Sequence, residues 1–126
     1  MQYWKGLGLD LVVCPSFGIE APNHGASTQG DLLAAYVFIW NVLGMSAATT
    51  PVTVVKQDEQ HYESVWNDDI TKVVQKSVVD SLGLPVGVQI VGLPFDEEKI
   101  LGLAKRIERN YKFYQNHPLP IIQNIK

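Results

Sequence analysis

The chain has 126 residues, 46% of them hydrophobic, and a formal net charge of −3. This length and composition fit one domain with a core of ordinary size. Only 10 residues are Lys or Arg, against 13 that are Asp or Glu, which argues against a nucleic-acid partner. The single cysteine excludes an internal disulfide and fits a reducing, intracellular compartment.

The start of the chain and its apolar stretches show neither a targeting signal nor a membrane span. The first residues, "MQYWKGLGLDLVV", lack the basic segment, sustained apolar run and cleavage site of a secretory signal. We therefore expect the chain to begin inside a longer protein. The most apolar stretch, residues 32–43, falls short of the roughly 20 residues that cross a bilayer, so we expect a buried helix there and no transmembrane segment.

An apolar run and a long loop open the chain. Residues 9–14 contain adjacent β-branched valines and are closed by Pro15, a pattern that predicts a buried strand. Residues 15–30 are rich in Gly, Pro, Asn, Ser and Thr without periodicity, which is typical of a loop. A loop of this length favours a functional connection.

An almost wholly apolar helix is predicted next, over residues 31–43. Asp31 is its candidate N-cap, and Gly44 is placed to end it in the left-handed conformation. A helix that is apolar on nearly every side must be covered by other elements. Few elements remain in this chain to do so.

The middle of the chain predicts a strand and an amphipathic helix. Residues 49–55, "TTPVTVV", are β-branched and have Pro51 near the start, where a missing N–H does least damage. Residues 56–67 are polar and indicate a surface excursion. Apolar side chains then recur at helical spacing from Ile70 to Val78, with Asn67 as the candidate cap.

A third strand and a third helix complete the pattern. Residues 86–91 are apolar and follow the turn sequence Gly-Leu-Pro, which predicts a strand. A helix is predicted over residues 97–110, capped by Asp96. Its inward stripe consists of Ile100, Leu103, Ala104 and Ile107. Residues 111–126, which contain two prolines, are expected to form an irregular tail.

The element order β, α, β, α, β, α predicts an α/β fold with a mixed or parallel sheet covered by helices. Fully apolar strands are buried on both faces, yet three strands and three helices would leave sheet edges and helix faces open. We therefore expect residues 1–126 to be part of a single larger domain with an incomplete sheet.

Three stretches carry a family resemblance: "WKGLGLDLVVCPSFG" (residues 4–18), "YVFIWNVLGMSAATTPVTVV" (36–55) and "SLGLPVGVQIVGLPFDEEKILGLAKRIE" (81–108). Together they resemble the C-terminal part of amidase-signature hydrolases, in particular the fatty acid amide hydrolase branch. The third stretch is fairly specific, because the Gly-Leu-Pro turn, the Gly-x-Gln strand and the acidic start of a helix occur in order. The resemblance implies amide (C–N bond) hydrolysis of a small-molecule substrate, without a cofactor or metal.

The resemblance also implies a catalytic triad of two serines and a lysine. A serine hydroxyl is a poor nucleophile until a positioned base takes its proton, and the amine leaves only when protonated. The family's Gly/Ser-rich signature has no match here, since "HGAST" and "GMSAA" lack its glycine and serine density. We expect the triad to lie outside this chain and the chain alone to be inactive.

For the positions present, the resemblance implies substrate binding. The helix over residues 31–43 is similar to one that lines the acyl channel of fatty acid amide hydrolases. By that match Ala34 and Phe38, one turn apart on one face, are the predicted substrate contacts. Asp31 departs from the small uncharged residue usual there. A carboxylate is costly to bury beside an acyl chain, so capping is its predicted role.

The residues alone raise other possible chemistry. Cys14 with His24 as base would make a thiol hydrolase, but a cysteine at the end of an apolar strand is usually an inert core residue. The three histidines share no metal-ligand spacing. The acidic residues at 96–98 suit a helix start better than a metal. Gln89, a polar residue in an apolar strand, is predicted to be a structural anchor.

A non-catalytic alternative stays open at this point. The same scaffold could serve as an interaction module whose exposed apolar faces pair with a missing N-terminal part or with another chain.

Overall fold

In the computed structural model, residues 2–25 and 31–118 are described. They form five helices, three strands and two 3₁₀ turns, so the α/β class is confirmed. The helices are α1 (Gln2–Gly6), α2 (Ala35–Val42), α3 (Asp69–Ser77), α4 (Glu97–Tyr111) and α5 (Phe113–Asn116). The strands are β1 (Val12–Pro15), β2 (Ser46–Val54) and β3 (Pro85–Gly92), and the 3₁₀ turns span Asp31–Ala34 and Gln57–Glu59.

The three strands form one sheet in the order β1-β3-β2, with β3 in the centre. Both pairings are antiparallel, which corrects the predicted mixed or parallel pairing. The strands are antiparallel because the connection between β2 and β3 brings the chain back to the end of the sheet at which β2 ends. Val55 N–H donates to Leu84 O at 3.0 Å, and Gly83 N–H donates to Val55 O at 2.9 Å. The polar excursion and α3 therefore form the loop of a long hairpin.

β2 begins earlier and is less regular than predicted. It starts at Ser46 rather than at residue 49, so Pro51 lies in mid-strand. The register with β3 shifts between Pro51 and Thr53. A bulge is one of the few places where a sheet tolerates proline, and β2 is an edge strand in the described part of the chain.

The core lies where α4 packs against the sheet. Ile90 and Val91 of β3 are fully buried, and Ile100 of α4 is 1% exposed. Close packing at Gly92 brings these elements together, because a Cβ there would lie 3.1 Å from the Ile100 side chain. The predicted stripe of α4 is confirmed, since Leu103, Ala104 and Ile107 are all partly buried.

The helix ends follow the predictions in part. Gly44 follows α2 with φ of +63°, the left-handed conformation that was predicted. The cap of α3 is Asp68 rather than Asn67: the Asp68 carboxylate accepts a hydrogen bond from Thr71 N–H at 2.7 Å. Asp96 does occupy the N-cap of α4, but its side chain makes no capping hydrogen bond.

Both ends of the chain are more helical than predicted. α1 (Gln2–Gly6) was not predicted. At the other end α4 continues to Tyr111 and α5 follows, so the irregular tail predicted from residue 111 is corrected up to residue 116. Residues 119–126 of that tail lie outside the described residues. No helix in the described ranges is both long and apolar enough to span a membrane.

Candidate functional site

The helix α2 presents an apolar surface to solvent, which corrects the expectation of a buried helix in this stretch. Its sequence, AYVFIWNV, contains no charged side chain, and none of its residues is buried. The exposed large side chains on and just after this helix form what we call the α2 face. They are, with their exposed fractions, Tyr36 (46%), Phe38 (52%), Ile39 (54%), Val42 (85%) and Leu43 (54%). A contiguous exposed apolar surface of this kind marks a site of binding or interaction.

The two predicted substrate contacts lie at the start of α2. Ala34 ends the 3₁₀ turn and occupies the N-cap position, with φ of −83° and ψ of 4°. It is partly buried, whereas Phe38 is half exposed. The structure thus places a small residue and an accessible aromatic ring one turn apart, and their contact with substrate stays a prediction.

The predicted cap of this helix is corrected. Asp31 begins the 3₁₀ turn, three residues before the N-cap of α2. Because Ala34 holds the N-cap position, α2 has no capping side chain. The start of α2 is instead tied to the loop after β1 by a backbone hydrogen bond, from Gly18 N–H to Leu33 O at 3.0 Å.

Gln89 connects α2 to the sheet. It is 4% exposed, and its side-chain Nε2 donates to Tyr36 O at 3.0 Å. The same nitrogen lies 3.4 Å from Cys14 Sγ, a weaker acceptor on the neighbouring strand. The structural role predicted for Gln89 is therefore confirmed. Sequence alone did not reveal its partner, since a residue in an apolar strand gives no signal of which helix lies over it.

A small cavity lies at the other end of α2. It has a volume of about 200 Å³ and is lined by Tyr3, Trp4, Trp40, Leu43, Met45 and Leu93. Pockets for drug-sized ligands are about 300–1,000 Å³, so this space is too small for a fatty acyl chain. The indole nitrogens of Trp4 and Trp40 are buried and have no hydrogen-bond partner among the described residues.

The structure shows the surroundings of the residues that raised alternative chemistries. Cys14 is partly buried and lies beside Gln89, as a core thiol would. In residues 2–25 and 31–118 there is no group of three or more His, Cys, Asp or Glu side chains that could hold a metal. Asp96 pairs instead with Lys99, at 2.9 Å.

Among the residues that the structure describes, three ionisable groups have shifted pKa values, and each shift has a structural cause. The Thr71 N–H lowers the pKa of Asp68 by hydrogen bonding to its carboxylate. The Ser46 hydroxyl lowers the pKa of Glu97 in the same way, at 2.6 Å. The hydrogen bond to Asp96 raises the pKa of Lys99. These groups cap or brace helices, and none lies on α2.

Sequence reasoning also missed Phe95, at the junction of β3 and α4. The residue is 93% exposed, and its φ of +73° is strained for a bulky residue. Such strain is often found near functional sites. The sequence carries no signal of it beyond the position of an aromatic residue in a short turn.

Comparison with known proteins agrees with the sequence resemblance. The family model described as "Amidase" matches residues 1–101. The chain is 36% identical to fatty-acid amide hydrolase 1 of Sus scrofa over 110 residues, which are 84% of the chain and 19% of that protein. It is 30% identical to fatty acid amide hydrolase 1 of Caenorhabditis elegans over 103 residues, 79% of the chain and 18% of that protein.

A relative with another name matches a similar share of the chain. A glutamyl-tRNA(Gln) amidotransferase subunit from Neisseria gonorrhoeae is 30% identical over 112 residues, 86% of the chain and 18% of that protein. The chain thus spans about a fifth of the length of the curated relatives it matches.

Proposed function

This chain belongs to the amidase family, and on that premise we propose that it forms part of an enzyme that hydrolyses amides of fatty acids. In this proposal the chain supplies a wall of the substrate channel and part of the core. The observation that carries it is the combination of 36% identity to a fatty-acid amide hydrolase with an uncharged, exposed helix, α2. An acyl chain is the kind of ligand that such a surface favours.

The α2 face has the chemistry that an acyl chain requires. Phe38 offers about half of its surface for burial against a ligand, and the absence of charge on α2 avoids the cost of dehydrating an ion beside a hydrocarbon. Ala34 leaves room one turn away. Each buried methylene contributes about 0.8 kcal/mol, or about fourfold in affinity, so a channel wall of this type favours long acyl chains over short ones.

The chemical step is assigned to other parts of the protein. By the family resemblance, a serine attacks the amide carbonyl while a second serine and a lysine move its proton to the departing amine. These groups are proposed to lie in sequence beyond these 126 residues. The chain alone is then expected not to turn over amides, because a triad enzyme without its nucleophile retains only a small residual rate.

A chimera tests this proposal. The segment of the Sus scrofa enzyme that this chain matches is replaced by the sequence of this chain, and hydrolysis is measured with a long-chain fatty amide, a short-chain amide and glutamine. We expect hydrolysis with a preference for the long chain. The control is the same chimera with its serine nucleophile changed to alanine, which should be inactive.

Two results would refute the proposal. One is a chimera that is folded by circular dichroism and gel filtration but hydrolyses none of the three amides. The other is a preference for glutamine or for the short-chain amide. A preference for glutamine would point instead to the activity that the name of the amidotransferase relatives describes.

A further inference from the structure

The position of α2 depends on few contacts. No residue of this helix is buried, and it has neither a charged residue for an ion pair nor a capping side chain. Its start is tied by the backbone hydrogen bond from Gly18 N–H to Leu33 O, and its Trp40 is partly buried at the small cavity. A hydrogen bond from a buried side chain is a further contact that can hold it in one place. Within the described part of the chain, Gln89 donates that hydrogen bond to α2.

Gln89 is itself held rigidly. It lies in β3, the central strand, opposite Cys14 of β1 and Thr49 of β2. The next two residues, Ile90 and Val91, are fully buried. The backbone of Gln89 cannot shift without breaking two strand pairings. Its side chain therefore offers a fixed donor to the helix that it contacts.

The hydrogen bond falls between the two predicted substrate contacts. Its acceptor, the carbonyl oxygen of Tyr36, lies two residues after Ala34 and two residues before Phe38. A displacement of α2 at this carbonyl would therefore move both contacts together. Since each methylene that loses its apolar contact costs about 0.8 kcal/mol, or about fourfold in affinity, a modest shift of α2 would be measurable in substrate binding.

We propose that Gln89 is a positioning residue that fixes α2 on the sheet and thereby sets the preference for long acyl chains. It acts through α2 and touches no substrate. This inference rests on the proposed function, because it assumes that the α2 face contacts the acyl chain. The anchoring of α2 can be measured independently of any activity.

The test compares two variants that each lose one buried hydrogen bond. Gln89→Met keeps a similar volume but removes the donor to Tyr36 O. Ser81→Ala is the matched control: Ser81 is 1% exposed, and its hydroxyl donates to Val78 O at 2.7 Å, just after α3. Both variants should lose similar stability, so only a local effect on α2 separates them.

The first measurement is hydrogen exchange on the full 126-residue chain. The readout is the ratio of the exchange rate of the α2 amides in each variant to that in the parent chain, because a helix held by few contacts exchanges by local opening and not by global unfolding. We expect this ratio to rise about 5- to 10-fold in Gln89→Met, as the loss of one hydrogen bond allows, and to stay unchanged in Ser81→Ala. An unchanged ratio in Gln89→Met overturns the inference.

The second measurement is the kinetics of the chimera described above. Gln89→Met should raise KM for the long-chain amide about 5- to 10-fold and leave kcat and the short-chain KM nearly unchanged, whereas Ser81→Ala should change neither KM. Faster exchange in α2 with an unaltered KM for the long amide overturns the positioning role. A parent chimera without activity refutes the proposed function and the acyl-chain part of this inference, while the exchange ratio still decides whether Gln89 anchors α2.

Discussion

Two glycine-to-alanine substitutions offer a direct test of the sheet register. Gly87 lies in β3 opposite Pro51, and a Cβ at this position would lie 2.9 Å from the backbone oxygen of Thr50. The Thr50 oxygen is a backbone atom of β2, so it can move away only if that strand moves. Gly102, in α4, has nothing within 4 Å of its Cβ position and so provides the matched control.

The two substitutions should have opposite signs. Overpacking at Gly87 costs about 1–3 kcal/mol, and the lower entropy of the unfolded alanine chain offsets about 0.4–1 kcal/mol of this. The net expectation for Gly87→Ala is a loss of about 1–2 kcal/mol. Gly102→Ala should gain about 0.8–1 kcal/mol, because alanine is the better helix former at an exposed position.

Thermal and urea unfolding of the 126-residue chain, followed by circular dichroism, measures the stability change in each of the two variants. For a chain of this size 1 kcal/mol corresponds to a few degrees in Tm, so the two variants should differ by about 10 °C. A Gly87→Ala chain at least as stable as the parent, alongside a stabilised Gly102→Ala chain, would refute the β2–β3 register at Thr50. The placement of Gln89 opposite Thr49 would be refuted with it.

Further predictions concern α3, α4 and α2. Asp68→Ala should lower the free energy of unfolding by about 1 kcal/mol, whereas Asn67→Ala should change it little; equal losses in urea titrations would contradict the cap assignment. The Ser46 hydroxyl lowers the pKa of Glu97 in the folded chain. The contact therefore stabilises the fold at pH values above the pKa that Glu97 has in the unfolded chain, and this stabilisation is lost as the pH falls through the folded pKa. Ser46→Ala should therefore raise the Glu97 titration midpoint seen by carboxyl-carbon NMR, and an unmoved midpoint would speak against the contact. In the chimera, Phe38→Ala should lower kcat/KM for the long-chain amide about 4- to 12-fold, since about half of a side chain worth about 1.5–3 kcal/mol is open to a ligand. Leu101→Ala, an exposed change on α4, should have little effect there, and equal losses in the two variants would exclude a specific role for Phe38.

Elements with a strong local pattern could be predicted from the sequence. α4 combines acidic residues in its first turn with an apolar stripe at helical spacing, and both features depend only on neighbours along the chain. Gly44 is predictable for the same reason, because a left-handed residue after a helix strongly favours glycine. α1 was not predicted because its five residues are too few to show a period.

Features that depend on distant residues could not be predicted. The order of elements does not specify strand direction, which is set by hydrogen bonds between Val55 and the turn before β3. Asn67 and Asp68 are both good caps by type, and only the path of the backbone chooses between them. Within the candidate site, the helix was predicted from its apolar run and its substrate contacts from a family resemblance, but its exposure to solvent was not predicted. The contact between Gln89 and Tyr36 O depends on residues that are distant in sequence.

The central position of β3 has a consequence for synthesis on the ribosome. β1 and β2 both pair with β3 and not with each other, and β3 is the last of the three to be made. The sheet of the described residues therefore cannot begin to assemble until β3 has left the exit tunnel. Until then β1 and β2 lack the strand with which both of them pair, so a pause or truncation before that point would leave this part of the sheet unformed.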